Sequence, residues 1–389
     1  MSRALSIAVF LTIALSLLGL IHYYVWARLV RDLSLPAGAQ RALTIAIVTL
    51  FVMVPSWIWF SRMGTWARPL VWLSFTWTGV LLLLLLTLAF SDAGRGLLAL
   101  VLRLQGDGPL DPGRRTLLAR ISAVSVLLLT GGLSVVALRS GLARVAVRQI
   151  EVRLRRLPRE LDGVTIVQLT DIHVGPTIRR DFIEQIVATT NALVPDLIAI
   201  TGDLVDGSVE DLRDQVEPLT LLKARYGVYF VTGNHEYYSG AADWCAELER
   251  MGIRVLRNER VSIGEGEQSF DLCGIDDPTG HGMAEGHGPD LEKALLGRDS
   301  SRELVLLAHQ PRALSQAVEH GVGLQLSGHT HGGQIWPWSF LVRLQQPVVS
   351  GLEKIKDTFI YVSNGTGYWG PPMRLAAPAE ITRIKLCCA

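Results

Sequence analysis

A chain of 389 residues exceeds one ordinary domain, and 49% hydrophobic against 19% charged residues, at mean hydropathy +0.31, is too apolar for a wholly soluble enzyme. A formal net charge of +1 excludes a nucleic-acid binder held by bulk electrostatics. Cys245, Cys273 and the adjacent Cys387 and Cys388 have no paired spacing, which excludes a disulfide scaffold and leaves none of them reading as a metal ligand.

The apolar excess sits in the first 140 or so residues, where acids are scarce. Residues 4–26, 42–60, 70–90 and 117–138 are each apolar enough to cross a hydrocarbon core of about 30 Å, which takes roughly 20 helical residues. Tyr23, Tyr24, Trp26, Trp57, Trp59, Trp72 and Trp77 stand at their ends, where lipid meets water. Four such runs in succession predict four transmembrane helices. The first is too long for a signal-peptide core and is expected to be retained. No ionisable residue sits in the middle of a run, so the helices read as an anchor or lipid-access platform, with the bilayer as partner.

An even number of spans puts both termini on one side. Arg3, Arg62, Arg68, Arg139, Arg144, Arg148, Arg153, Arg155 and Arg156 belong to that side, against Arg28, Arg31, Arg41, Arg95, Arg103, Arg114 and Arg115 opposite. The excess leans towards a cytoplasmic C-terminal half. The basic stretch 139–156 either rests on anionic headgroups or runs as a solvated linker into a first strand. The domain reading is therefore a membrane region, 1–140, a juxtamembrane linker, 141–160, and a catalytic domain, 161–389. Repeats and low-complexity segments are absent.

In the C-terminal half, one pattern recurs. Residues 164–169 form a strand-type apolar run that delivers Asp171 and His173, which alternation on an extended segment would turn to the same side. A helix is predicted over 182–193, then a strand, 197–201, ending in Gly202 and Asp203. A helix over 209–223 leads to strand 228–232 and to Gly233, Asn234, His235 and Glu236. After a helix at 241–251, run 303–308 leads into His309, and run 324–326 into Gly328, His329, Thr330 and His331. Each motif alone reads equally well as a helix cap or turn. Five short strands, each with a ligand-type residue at its carboxyl end, predict one crevice in an open α/β sheet. Oxygen and nitrogen ligands without thiolate suit Mn, Fe or Zn.

Taken together, Asp171-x-His173, Gly202-Asp203, Gly233-Asn234-His235-Glu236, His309 and Gly328-His329-x-His331 resemble the motif set of the calcineurin-like metallophosphoesterases, over about residues 160–389. Gly332-Gly333-Gln334, Asn364 to Gly367 and Pro371 to Arg374 resemble the membrane-associated branch of that family, whose relatives include phosphoesterases of lipid-linked substrates and a type that cleaves UDP-2,3-diacylglucosamine on the lipid A pathway. The resemblance implies a four-layer α/β sandwich, two mixed sheets flanked by helices, behind the four membrane helices. It implies two divalent metal ions. Asp171, His173 and His331 would hold one, Asn234, His309 and His329 the other, and Asp203 would bridge them, the pair activating a water for in-line attack on phosphorus.

On the same resemblance His235 would protonate the leaving oxygen or stabilise developing charge. Asp206 and Glu236 either orient imidazoles or are surface acids, and Arg374 meets a substrate phosphate or pairs on the surface. Residues 335–342, rich in tryptophan and apolar side chains, form either a lip for acyl chains or ordinary core. Residues 276–290 read as a mobile loop over the crevice whose His281 and His287 fit none of the motifs. The expected function is hydrolysis of a phosphodiester or pyrophosphate in an amphiphilic substrate at a bacterial inner membrane. The alternatives are a tethered broad-specificity phosphoesterase and a non-catalytic metal-binding module. No feature fixes an oligomeric state.

Overall fold

The computed structural model describes residues 3–105, 111–283 and 285–389. The chain forms two compact units: residues 1–139 with 370–373, and residues 140–369 with 374–389.

The first unit is built on four helices, α1 (Arg3–Leu29), α2 (Ala37–Arg62), α3 (Arg68–Leu104) and α4 (Pro112–Gly141). All four are long and apolar enough to cross a membrane. Pro36 precedes α2 and Pro69 opens α3, positions where a missing N–H costs nothing. Leucines and phenylalanines such as Phe10 and Leu128 point outwards, a surface that water would penalise and lipid does not. Two inward pairs of polar groups join the helices: Thr87 with Thr130, and Trp77 Nε1 donating to His22 Nε2 at 3.0 Å. The third helix outruns its predicted span by 14 residues, to Leu104. Asp92 ends the apolar run without ending the helix, because Tyr24 and Arg28 both donate to its carboxylate.

The second unit contains two six-stranded mixed sheets. The first has the order β1-β12-β2-β3-β4-β5, with β1 (Ala146–Leu154), β2 (Thr165–Leu169), β3 (Leu197–Ile200), β4 (Val228–Phe230), β5 (Arg254–Val255) and β12 (Glu380–Cys388). The second has the order β10-β11-β9-β8-β7-β6, with β6 (Glu259–Glu265), β7 (Gln268–Gly274), β8 (Leu304–Leu307), β9 (Leu324–Ser327), β10 (Gly351–Ile355) and β11 (Thr358–Val362). Residues 146–154, within the stretch read as a linker, are strand β1, paired in parallel with β12 from Ala146↔Glu380 to Leu154↔Cys388. The register puts Val152 and Leu154 into the core while Arg148 and Arg153 stay outside, which is why the stretch reads as merely basic.

Alternation along the strands sorts the core. Ile166, Leu197 and Ala199 of the first sheet meet Val305, Leu307, Leu324 and Leu326 of the second between the two sheets. Their neighbours Val167, Leu169, Ile198 and Ile200 face outwards to α5 (Arg180–Ala192), α6 (Val209–Val216) and α8 (Ala241–Arg250). On the far side Leu304 and Leu306 pack with the short helices Leu291–Ala294 and Leu314–Glu319. Burial on both faces explains why these strands read as continuous apolar runs. The helix expected over 209–223 stops at Val216, where Pro218 enters a 3-10 turn. Between β4 and α8 lies α7 (Asn234–Ser239), a short helix that starts on the third predicted motif.

Candidate metal centre

Strands β2, β3 and β4 in one sheet and β8 and β9 in the other end at a common rim. Backbone bonds stitch the ends together: Asp171 N–H donates to Gly202 O at 3.0 Å, His173 N–H to Asp203 O at 3.1 Å, and Gly328 N–H to His309 O at 2.9 Å. Gln168 Nε2 crosses between the sheets to Ser327 O at 3.0 Å. Segments this close leave no room for side chains. A Cβ on Gly202 would lie 2.6 Å from Gly233 N and 2.7 Å from His309 Nδ1, and one on Gly328 would collide with the Asp171 carboxylate. The glycines before Asp203, Asn234 and His329 are thus a packing requirement.

Five of the predicted ligands adopt left-handed backbone conformations: Asp171 (φ 52°), His173 (φ 55°), Asp203 (φ 52°), His329 (φ 70°) and His331 (φ 50°). Asp171 and His173 therefore reach the same place by turning, not by the alternation of an extended strand. Each such residue costs on the order of 1–3 kcal/mol and persists only where surrounding structure imposes it. Here the imposed strain coincides with the side chains that converge.

Asp171, His173 and His331 offer ligand atoms within 4.8 Å of one another, as do Asp203, His309 and His329. Asp203 stands between the two groups, its Oδ2 3.1 Å from His309 Nε2 and 3.9 Å from His173 Nε2. A third set, His173, Asp206 and His235, lies equally close, but it is a hydrogen-bonded triad. Both imidazoles direct Nδ1 to Asp206 Oδ1, at 3.1 Å from His173 and 2.6 Å from His235. That bond leaves His173 Nε2 facing the Asp171 and His331 side chains. His309 is set the same way, its Nδ1 donating to Thr201 O at 2.8 Å. Its Nε2 is turned to Asp203 Oδ2, 3.1 Å away, and the Asn234 Oδ1 is buried with no hydrogen-bond partner. Unpaired buried acceptors cost about 1–3 kcal/mol each. At the focus of carboxylates and imidazoles, a divalent cation is the group that satisfies them, so this donor set fits a dinuclear metal centre.

The metal-free electrostatics agree. Burial opposes the charged form of every group here, but Asp206, with Asp203 and Asp171 behind it, raises the His173 pKa to about 9. Burial also works against ionised Asp203, yet His309, His235 and His173 hold its carboxyl well below the usual range. His329, buried and next to His309, is lowered to about 3. His331 is lowered by burial, by His173 and by Arg374. Burial and neighbouring positive groups thus push the His329 and His331 pKa values down, while the carboxylates beside His173 push its value up.

Glu236 and Arg374 play parts other than those expected. Glu236 touches no imidazole. Its buried carboxylate accepts the backbone N–H groups of Asp203, Leu204, Val205 and Gly233 at 2.6–3.3 Å, fixing the loop that carries Asp203. Burial and Asp203 raise its pKa to about 7. Arg374 is 0% exposed and faces neither substrate space nor surface. It donates to the carbonyls of Gly367 and Ala377, and its Nη2 lies 3.2 Å from His331 Nδ1. The guanidinium therefore positions His331 from behind.

Of residues 276–290, Asp276 is buried and ion-paired to Arg257 at 2.8 Å, and Asn258 donates to Gly288 O at 2.8 Å; Ala284 lies outside the described residues. His287 Nδ1 is 3.2 Å from the Tyr237 hydroxyl, and neither it nor His281 belongs to the converging groups. Residues that no motif marked also border the site. The rings of Tyr238 and Trp369 stand 5.3 and 5.7 Å from His235. Trp369 is tied to the ligand loop by two bonds of 2.9 Å with the Gln334 side chain. The aromatic run Gly367 to Gly370 was the only local signal for it.

The profile of the calcineurin-like phosphoesterases matches residues 164–333. A protein of Danio rerio named "Transmembrane protein with metallophosphoesterase domain" is 38% identical over 403 residues, spanning 99% of this chain and 91% of that one. This chain belongs to the calcineurin-like metallophosphoesterases. An uncharacterised metallophosphoesterase of Campylobacter jejuni is 31% identical, over 97% of this metallophosphoesterase and 98% of its relative. One of Helicobacter pylori is 42% identical over 242 residues, covering 62% of this chain and 63% of that one. Membership in the family, with the ligand groups above, implies two divalent metal ions whose identity the donor set leaves open between Mn, Fe and Zn. The chain is a membrane protein with a metal-dependent phosphoesterase domain.

Proposed function

We propose that this metallophosphoesterase hydrolyses a phosphodiester or pyrophosphate bond in an amphiphilic substrate at the bilayer surface, with its catalytic unit on the cytoplasmic face as the arginine bias favours. Asp171, His173 and His331 hold one cation, Asn234, His309 and His329 the other, and Asp203 serves both. Two cations so held supply Lewis-acid stabilisation of phosphoryl charge and a nucleophile at neutral pH. His235, with Nδ1 committed to Asp206, keeps Nε2 to protonate the departing oxygen. Trp369 and Tyr238 wall the space beside it.

The observation that carries the substrate class is an apolar ridge starting two residues after the ligand loop. Ile335 is buried, but Trp336 is 49%, Phe340 63% and Leu344 81% exposed, with Trp338 and Leu341 beside them. Residues 336–344 are therefore not core, and an apolar lip next to a metal centre suits an acyl or isoprenoid chain. Covering about 100 Å² on each of two aromatic rings favours a lipid-bearing substrate by about 5 kcal/mol before ordering costs. The test compares the full-length protein with W336S/F340S on a lipid-linked pyrophosphate, UDP-2,3-diacylglucosamine among them, and on bis-p-nitrophenyl phosphate. The proposal expects the variant to lose tenfold or more, about 1.4 kcal/mol, on the lipid substrate alone. Equal loss on both, or none, removes the amphiphile reading. Bound metal without turnover of any phosphoester removes the enzyme reading as well.

A further inference from the structure

We infer that the helical unit carries an anionic-lipid site of its own, distinct from the metal centre, which takes the phosphate of a phospholipid at the bundle end where α1 runs into α2 and α3 into α4. A cavity of about 470 Å³ there is lined by Arg28, Arg95, Arg103 and Arg115 around Asp92. A second, of about 390 Å³, shares Arg28, Arg95 and Arg115 and adds Arg31 and Asp32. Among the described lining residues, five arginines face two aspartates, an excess of three positive charges.

The two carboxylates are engaged in holding the guanidinium groups in place. Arg28 bridges Asp92 and Asp32 at 2.9 Å each, Tyr24 donates to Asp92 at 2.7 Å, Arg31 meets Asp32 at 3.0 Å, and Arg95 meets Asp92 at 3.6 Å. Arg103 and Arg115 have no ion-pair partner among the described residues. Preorganised guanidinium forks with spare donors match the oxygens of a phosphate.

The rest of the wall selects a lipid over a soluble anion. Leu98, Leu102 and Leu118 line the same cavity. On the same stretch of α3 Leu97, Leu100 and Leu104 are exposed, so the extension past Asp92 presents arginines and leucines together, as a helix at headgroup depth does. This arginine end is fixed by packing within the helical unit and does not rest on the hydrolase reading.

The test uses the full-length protein in neutral detergent, with bound lipid counted by native mass spectrometry during titration with phosphatidylglycerol, phosphatidylcholine and glycerol 3-phosphate. Wild type is expected to retain phosphatidylglycerol about tenfold or more tightly than phosphatidylcholine. R103Q/R115Q is expected to erase that difference while hydrolysing bis-p-nitrophenyl phosphate at the wild-type rate, which shows the fold intact. Equal phosphatidylglycerol retention by both proteins overturns the site. Displacement of the lipid by equimolar glycerol 3-phosphate overturns the apolar part of it. Should the double variant not fold, R103Q alone carries the comparison, and a wild-type lipid preference indifferent to added salt overturns the charge argument.

Discussion

Asp206 offers the sharpest test of the centre, because one carboxylate oxygen holds two imidazoles with different duties. Oδ1 is 3.1 Å from Nδ1 of His173, a proposed ligand, and 2.6 Å from Nδ1 of His235, the proposed proton donor. Asp206→Asn keeps an oxygen in that place and removes its charge. A charge-assisted bond is about twice as strong as a neutral one, so about 1 kcal/mol is lost on each imidazole. The sum, about 2 kcal/mol, corresponds to a roughly 30-fold fall in kcat/KM. Asp206→Ala removes both bonds. Its loss should reach 10²- to 10⁴-fold, combining a weakened metal ligand with a misdirected acid, each roughly 10- to 100-fold. The assay is hydrolysis of bis-p-nitrophenyl phosphate by the full-length protein, with metal content measured on the same samples. Once His235→Ala is in place, the part of the Asp206→Ala loss that acts through His235 should vanish, leaving only the part that acts through His173. Full additivity of the two substitutions, or a wild-type rate in Asp206→Ala at full metal occupancy, would refute the shared-carboxylate account.

Gly202→Ala puts a Cβ 2.6 Å from Gly233 N on a backbone at φ +86°, so about 2–3 kcal/mol of stability and part of the metal should be lost; thermal unfolding and elemental analysis check this, and wild-type metal content at wild-type Tm sinks it. Cation binding should tighten as pH rises from about 6 towards 9, by up to about tenfold per pH unit for each proton displaced, because His173 holds its proton up to about 9 in the metal-free site; affinity flat with pH in calorimetric titration counts against it. The sign for stability is opposite. A pKa raised above the unfolded value of 6.5 stabilises the metal-free fold below 6.5, and that contribution is lost as pH climbs through about 9.

Much of this architecture was legible because it is written in short, contiguous signals. A membrane helix needs only an uninterrupted apolar run, so the four spans show without reference to anything else. A strand buried on both faces followed by a ligand-type side chain is equally local; Asp171 and His309 announce themselves that way, and Asp203, Asn234 and His329 do so with a glycine in front. What escaped reading depends on partners distant in the chain. The nine residues of β1 look like a basic linker until β12, more than 200 positions later, takes their backbone bonds. Past Asp92, α3 continues with Tyr24 and Arg28 of another helix satisfying its carboxylate.

Composition and spacing alone therefore determined that the chain crosses a bilayer and carries a set of oxygen and nitrogen donors at strand ends, since both follow from residue type and local period. Tertiary structure decided which group faces which. It sent Glu236 to backbone amides and buried Arg374 behind His331. It gave one oxygen of Asp206 to two imidazoles, and it left the tryptophans after the ligand loop in the open. These assignments turn on distances of a few ångströms between side chains that no local pattern relates, because burial and hydrogen bonding are settled only when the two sheets close on each other.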